Sequence, residues 1–229
     1  MEKDFSIGDA VSFGWNAMKT NLGFFIPAVL ILWVAGAIPG GIQSMSMYMH
    51  SAAAALWSGL FGLVGFVVSM FVTMAQIRIG LRFCSGETAD FPDLVSDYQR
   101  FFDFLIGSIL FGLIVLGGLI LLIIPGIYWA VRYHFYGYLI LDQGMSPVDA
   151  IKRSGQLTRG VWWHLFGFWW VIFGIAFLGL IACCVGLLFA IPVMIVATAY
   201  VYRTLLAATP LEMTAPAPEL PPQPPPAQT

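Results

Sequence analysis

Side chains that could carry out acid–base or metal chemistry are few in this chain and widely separated. The histidines are His50, His134 and His164, and none has an acidic or cysteine neighbour at a spacing typical of a catalytic or zinc site. Asp142 and Asp149 are better explained as a helix end and a helix cap. No phosphate-binding loop or dinucleotide fingerprint occurs. We therefore expect no enzyme activity, no metal and no cofactor.

Basic residues are the other candidates, because arginine and lysine bind phosphate oxygens well. Seven of them are possible contacts for lipid phosphates or another anion: Arg78, Arg82, Arg132, Lys152, Arg153, Arg159 and Arg203. With a net charge of −2, the chain gives no reason to expect a nucleic-acid partner. Membrane phospholipids are the expected partners. The simpler explanation for each residue is the usual excess of Lys and Arg on the cytoplasmic side of a membrane protein.

The composition indicates an integral membrane protein. Of 229 residues, 59% are hydrophobic and only 10% are charged, whereas soluble domains carry about 25% charged residues. The first residues, 1–4, have mixed charge and lack the basic and apolar regions of a cleavable signal peptide. We expect the first membrane helix to direct insertion.

Six apolar stretches are long enough to cross a bilayer, which takes roughly 20 residues each. They predict an all-α, polytopic domain over residues 1–207, built as three hairpins. The predicted spans are 21–43, 53–77, 101–117, 119–138, 161–182 and 185–203. The turn of the second hairpin has two candidates, Gly117–Gly118 and Pro125–Gly126. The similarity between Gly118–Pro125 and Gly186–Pro192 favours the glycine pair.

Each hairpin is preceded by the start signal of a short helix. Ser6 is followed by Asp9, and Ser146 by Asp149; a short polar cap and an acid in the first turn both stabilise a helix N-terminus. Residue 90 is followed in the same way by residue 93. The pattern predicts three short amphipathic helices in the inner membrane interface. In the first, the apolar stripe is Ile7, Val11, Trp15, Met18 and Leu22. The alternative is that these segments are connectors packed on the bundle.

The charge distribution predicts the orientation of the protein in the membrane, and the composition predicts the state of its C-terminal segment. Lysines and arginines flank the spans on one side only, which indicates cytoplasmic N- and C-termini. Residues 208–229 are rich in proline and poor in apolar residues, so they predict a disordered cytoplasmic tail. Small residues four apart, such as Gly36 and Gly40, allow close helix contact. This contact serves either the hairpin itself, which we favour, or a homo-oligomer.

Several segments resemble bacterial proteins related to the membrane domain of glycerophosphoryl diester phosphodiesterase. They are Ile124–Tyr128, Arg132–Tyr133, Leu141–Asp142, Ser146–Pro147, Ala150–Ser154, Leu157–Gly160, Cys184–Leu188, Ile191–Pro192 and Ala199–Arg203, together with the opening Phe13–Ala17. The resemblance covers nearly the whole chain except the tail. It departs at Gly155, where an aromatic residue, usually Trp, is expected.

The resemblance implies a six-helix protein of the bacterial inner membrane, in a group mostly of unknown function. It does not imply phosphodiesterase activity, which belongs to a separate soluble barrel domain in fused relatives. We therefore expect a non-catalytic membrane protein with a structural or lipid-interacting role. The alternative is a component of small-molecule or anion transport. The depth of Arg132 discriminates between the two, because a position in mid-membrane facing a cavity favours transport.

Overall fold

All the regular secondary structure is helical in the residues that the computed structural model describes, which are 5–46, 52–89, 97–182 and 185–209. In these residues there is no strand, and the all-α prediction is confirmed. The helices are α1 (Ile7–Thr20), α2 (Leu22–Ser46), α3 (Ala52–Cys84), α4 (Phe101–Leu121), α5 (Ile123–Tyr133), α6 (Tyr136–Gln143), α7 (Pro147–Leu157), α8 (Trp162–Ile181) and α9 (Val185–Ala208), with a 3-10 turn at Tyr98–Arg100 before α4.

Four of these helices, α3, α4, α8 and α9, are long and apolar enough to cross a membrane. A fifth span is present if α1 and the first part of α2 count as one, although the two are bent by 98° at Asn21. The structure therefore has four to five candidate spans in its described residues. The predicted span at 119–138 is not a single helix, because α5 ends at Tyr133 and α6 begins at Tyr136.

The central element of the bundle is α9, which packs against α1, α2, α3 and α8. Its middle part, residues 196–202, is buried except for a partly buried Tyr200, and Val196, Ala197 and Tyr202 have no exposed surface. Helices that follow each other in the chain also pack together in three pairs, α2 with α3, α4 with α5, and α8 with α9. These three pairs are the arms of three helical hairpins.

The turn of the second hairpin lies at Leu122, so neither predicted position is correct. Leu122 has an extended backbone, with φ −167° and ψ 149°. Gly118 and Gly126 lie on either side of the turn and allow the two arms to touch, since a Cβ on Gly118 would be 2.8 Å from the Cα of Gly126. Gly179 and Gly186 make the same contact in the third hairpin, where a Cβ on Gly186 would be 2.6 Å from the Gly179 carbonyl oxygen.

The break between α5 and α6 is stabilised by two hydroxyl groups of the α7 region. Ser154 Oγ accepts a hydrogen bond from the Phe135 N–H at 3.2 Å and donates to the Arg132 carbonyl at 3.2 Å. Thr158 Oγ1 donates to the same carbonyl at 3.0 Å. Backbone groups left free by a helix break are costly when buried, so these contacts explain why the arm can be interrupted here.

Two of the three predicted helix starts are confirmed. The side chain of Ser6 accepts from the Asp9 N–H at 3.2 Å, and that of Ser146 accepts from the Asp149 N–H at 3.3 Å, with Pro147 in the first turn. The third predicted start, at residues 90 and 93, lies outside the described residues.

The predicted apolar stripe of α1 is only partly correct. The face of α1 that packs on α9 consists of Ala10, Gly14 and Met18, whereas Trp15 is 45% exposed. The reason is the closeness of the two helices, since a Cβ on Gly14 would be 2.6 Å from the carbonyl oxygen of Val193. A large side chain does not fit between backbones at this distance.

Apolar side chains cover the outside of the bundle, most densely at the ends of the hairpins away from α6 and α7. At the second turn, Leu122 is 68% exposed and Ile124 is 80% exposed. An apolar surface of this extent is unusual for a protein in water and normal for one in lipid. Other exposed members are Leu30, Ile31, Trp33, Leu56, Trp57, Leu60, Leu119, Ile120, Leu121, Leu178, Leu180 and Ile181.

Candidate functional site

The charged residues of the described chain gather at one end of the bundle, which we call the polar end. Here α3, α6 and α9 end and α4 begins. The Asp142 carboxylate at the end of α6 pairs with Arg203 of α9, with 3.0 Å between Oδ1 and Nη2. Arg203 Nη2 also donates to Ser85 Oγ at 3.3 Å. These contacts join the ends of three helices. The guanidinium of Arg203 is therefore already bound to groups within the protein.

Two other predicted anion contacts are in ion pairs near the end of α3. Arg78 Nε lies 3.1 Å from Asp97 Oδ2, and Arg82 Nη1 lies 3.7 Å from Glu87 Oε2. Arg82 and Glu87 are exposed enough for water and salt to weaken their attraction. Both arginines thus have an acidic partner within the protein, which reduces their value as phosphate contacts.

Helix α7 carries two more of the predicted basic residues in different environments. Arg153 is only 8% exposed, and its Nη2 donates to the Thr209 carbonyl at 2.7 Å. Its other terminal nitrogen donates to Gln156 Oε1 at 3.1 Å. Lys152 is exposed, and so is Arg159 just after the helix. Of the seven predicted anion contacts, only Lys152 and Arg159 have exposed side chains, the environment that was expected for all seven.

Arg132 has the most unusual surroundings of the seven. Its Nη1 donates to the Tyr128 hydroxyl at 2.9 Å, and the guanidinium lies 5.6 Å and 5.8 Å from the ring centroids of Tyr128 and Tyr133. Its Nε is buried and makes no hydrogen bond, and no acidic side chain of the described residues pairs with it. This leaves a cation held by aromatic rings with hydrogen-bonding capacity to spare.

Gly155 of α7 lies directly against this arginine and its aromatic neighbour. A Cβ at this position would be 3.0 Å from the Tyr133 ring and 3.5 Å from Arg132 Nε. The aromatic residue expected here from the resemblance would therefore displace both side chains. The contact also shows that Arg132 packs against the helix that carries Lys152 and Arg153.

An apolar groove of about 310 Å³ includes Val131, the residue before Arg132, in its lining. It runs between α5 and α8 and is lined by Ile127, Val131, Phe166, Trp169, Trp170 and Phe173. Tyr128 lies close to the start of α8, with 5.5 Å between its ring centroid and that of Trp162. A positive group beside an apolar groove is the arrangement that can hold a phosphate head and an acyl chain together.

The sequence analysis missed the role of Arg100. Its Nη1 donates to the carbonyl of Ile140 at 2.9 Å and also to that of Leu141, so it caps the end of the buried helix α6. Gly144 completes this helix end in the left-handed conformation, with φ 64°. No local spacing signals the contact, because the partners are 40 positions apart.

A second cavity, of about 470 Å³, lies where the three hairpins meet, and we call it the central cavity. Polar members of its lining are Thr73, Gln76, His134, Tyr136, Tyr138 and Thr198. His134 is the only histidine there among those described, since His164 packs on Phe5. Asp142 and Asp149 lie elsewhere, and His50 is outside the described residues. No group of three or more metal-binding side chains occurs in the described chain.

The fold defines an all-helical protein whose apolar helices suit it to a membrane and whose charged residues gather at one end. The chain belongs to the family described as a domain of unknown function (DUF7847), whose model matches residues 99–228. The comparisons do not support a relation to the membrane domain of glycerophosphoryl diester phosphodiesterase. They do agree with the expectation of a family without known function.

The chain is also similar to uncharacterized mycobacterial proteins. One from Mycobacterium bovis is 26% identical over 242 residues, which covers 93% of this chain and 73% of the relative. Two uncharacterized proteins from strains of Mycobacterium tuberculosis match with the same identity and coverage. No solved structure matches the chain.

Proposed function

We propose that this protein is a non-catalytic integral protein of the bacterial inner membrane that binds an anionic phospholipid beside Arg132. It crosses the membrane six times, with both termini in the cytoplasm and the polar end at the inner surface. The protein has a structural or lipid-organising role there.

Six crossings are supported by the second hairpin. Although α5 and α6 are each too short to cross a membrane, together they run back along α4. Gly126 packs beside Gly118 near the turn, and Tyr136 and Ile140 pack beside Gly107 further down. Because α4 has 21 residues, its length is about 31 Å at 1.5 Å per residue, close to the hydrocarbon thickness of a bilayer.

The orientation is supported by the distribution of basic residues. The polar end contains Lys152, Arg159 and the paired arginines, whereas the turns at Leu122 and Ala182 have no charged neighbour in the described residues. Bacterial membrane proteins keep such basic residues on the cytoplasmic side. The 98° bend between α1 and α2 is what an interfacial helix leading into a span requires.

The observation that carries the lipid proposal is the state of Arg132. Three of the other arginines are paired with acidic residues and Arg153 is bound to a backbone carbonyl. The buried Nε–H groups of Arg153 and Arg203 are unused as well, but Arg132 differs in that its guanidinium bonds only to the Tyr128 hydroxyl and to no acidic or carbonyl oxygen of the described residues. Val131, its neighbour in the chain, lines the groove with Phe166. A lipid phosphate would supply the missing acceptor and its acyl chain would fill the groove.

Native mass spectrometry of the purified protein with phosphatidylglycerol or phosphatidylcholine tests the proposal. We expect retained phosphatidylglycerol to fall about tenfold in Arg132→Gln, since a hydrogen bond to a charged group contributes about 1.5–3 kcal/mol. Arg82→Gln is the matched control, because that arginine already pairs with Glu87. Equal retention of phosphatidylglycerol by the Arg132→Gln variant and the unchanged protein would refute the lipid site.

The central cavity is the one feature that favours the alternative, transport of a small molecule or anion. Its lining contains no Lys, Arg, Asp or Glu, so an anion would find no counter-charge there. Proteoliposomes loaded separately with inorganic phosphate and with glycerol test transport. Release faster than from protein-free vesicles would support this alternative over the lipid-binding role.

A further inference from the structure

The central cavity has the size and position of a ligand site. It is bounded by α3, α4, α8 and α9 and by the residues around the break between α5 and α6. Its volume of about 470 Å³ falls within the range of small-molecule pockets, about 300–1,000 Å³. It is separate from the groove beside Arg132, with which it shares only Trp169.

Buried aromatic residues close the cavity toward the polar end. Tyr138 of α6 lines it, and the Tyr138 ring centroid lies 5.2 Å from that of Tyr202, which has no exposed surface. Behind them, Leu139 and Ile140 are also fully buried. Thr73 of α3, in contrast, lines the cavity and is exposed on the outside of the bundle. A ligand would therefore enter from the side of the bundle and not from the polar end.

Two polar side chains in the lining have hydrogen-bonding capacity that the described protein does not use. His134 contacts the rings of Phe135 and Trp169 edge-on, with the Trp169 ring centroid 4.4 Å away, and forms no hydrogen bond with a described residue. The same is true of the Gln76 amide. Unlike Arg132 Nε, which is buried without a hydrogen-bond partner, the polar atoms of Gln76 and His134 keep some accessible surface.

Three other polar groups of the lining are already bonded within the protein. Thr73 donates to the Ser69 carbonyl at 2.8 Å, and Thr198 donates to the Met194 carbonyl at 2.7 Å. The Tyr136 hydroxyl is 2.9 Å from Ser108 Oγ. Gln76 and His134 therefore differ from these three residues. In an apolar setting an unpaired polar group is unfavourable, and a ligand with a matching head group would relieve this cost.

We propose that the central cavity binds an uncharged lipid whose hydroxyl or carbonyl head hydrogen-bonds to Gln76 and His134. Amide and imidazole groups can both donate and accept, which suits an alcohol or ester oxygen. Without a basic residue in the lining, a phosphate head has no partner. The apolar wall formed by Ile77, Ile172 and Ile191 would surround the first part of the lipid's acyl chain.

A monoacylglycerol with a photoreactive diazirine near its head tests this inference in phosphatidylcholine vesicles that contain the full chain. We expect cross-links on peptides that line the cavity, and a loss of at least fivefold in Gln76→Leu and in His134→Phe. Gln99→Leu and His164→Phe are matched controls, because both residues are exposed and neither lines the cavity. These two controls should label like the unchanged protein.

A cavity filled only by water would give no more cross-links on its lining peptides in the unchanged protein than in Gln76→Leu and His134→Phe, and this result would overturn the inference. Equal labelling by a diazirine phosphatidylglycerol at the same peptides would overturn the choice of an uncharged ligand. Gln76→Leu places an apolar chain of similar length in the wall, so its thermal stability shows whether lost labelling reflects misfolding. Because Gln76 does not line the groove beside Arg132, phosphatidylglycerol retention by Gln76→Leu stays normal and separates this inference from the proposed function.

Discussion

The Tyr202 hydroxyl donates a hydrogen bond of 3.0 Å to Oδ2 of Asp142, a residue 60 positions earlier in the chain. Arg203, next to Tyr202, pairs with the other oxygen of the same carboxylate at 3.0 Å. One acidic residue thus joins the end of α6 in the second hairpin to the end of α9 in the third. Asp142 has a structural role, and the packing of the polar end depends on it.

Asp142→Leu should destabilise the protein, because it leaves Arg203 and the Tyr202 hydroxyl without their acceptor. Since Arg203 is partly exposed, we expect a loss of about 1–3 kcal/mol in the free energy of unfolding. Thermal unfolding in detergent, followed by size-exclusion chromatography, measures it. Asp103→Asn is the control, because that acidic residue is exposed in the first turn of α4. Equal midpoints for the two variants would show that the Asp142 network contributes nothing.

The hydroxyl groups at the break between α5 and α6 allow a second test. Ser154→Ala should leave the Phe135 N–H and part of the Arg132 carbonyl unsatisfied and lower stability by about 1–3 kcal/mol. Thr204→Val is a suitable control, since the Thr204 hydroxyl donates only to the Tyr200 carbonyl of its own helix. The same thermal measurement applies. A Ser154→Ala protein as stable as the control would mean that the break does not need this contact.

The close contact between α1 and α9 predicts that alanine is unfavourable at Gly14 of α1. The same substitution at Gly112 of α4 should be tolerated. Gly14→Ala places a methyl group against the Val193 carbonyl and should cost about 1–3 kcal/mol through overpacking. Gly112→Ala adds a methyl group where nothing lies within 4 Å, so it should be neutral or stabilising. Thermal midpoints in the same detergent compare them. Similar midpoints would indicate that α1 can move away from α9 at little cost.

Single cysteines test the proposed orientation in a background without native cysteines. Lys152→Cys, on the exposed side of α7, should react with a membrane-impermeant maleimide only from the cytoplasmic side. Leu122→Cys, at the exposed turn of the second hairpin, should react only from the opposite side. Labelling of both from one side would exclude six crossings. No labelling of Leu122→Cys from either side would mean that the hairpin ends inside the bilayer.

Local signals in the sequence predicted local structure well. The caps at Ser6 and Ser146 were found correctly because a cap depends on residues three positions apart. The second turn was placed a few residues away from Leu122, because an uninterrupted apolar run contains no polar residue to mark a turn. Gly118 and Gly126, on either side of it, were each interpreted as part of a turn, but their role is to let the arms touch.

Long-range contacts could not be predicted in the same way. Asp142 was interpreted only as a helix end and Arg100 was given no specific role, because their partners in α6 and α9 are 40 to 61 positions away. The interruption after Tyr133 was also missed, because the hydroxyls that satisfy it come from a different helix. The groove and the central cavity form only where arms from separate hairpins meet, so local patterns in the sequence do not reveal them.

The burial of α6 has a consequence for how the protein is made. Its last residues depend on Arg100, which is synthesised early, and on Tyr202 and Arg203, which belong to the last described helix. In a nascent chain that has not yet released α9, Asp142 lacks both Tyr202 and Arg203. The polar end can therefore be completed only after α9 is made, and a chain truncated before residue 202 should be degraded faster by membrane proteases.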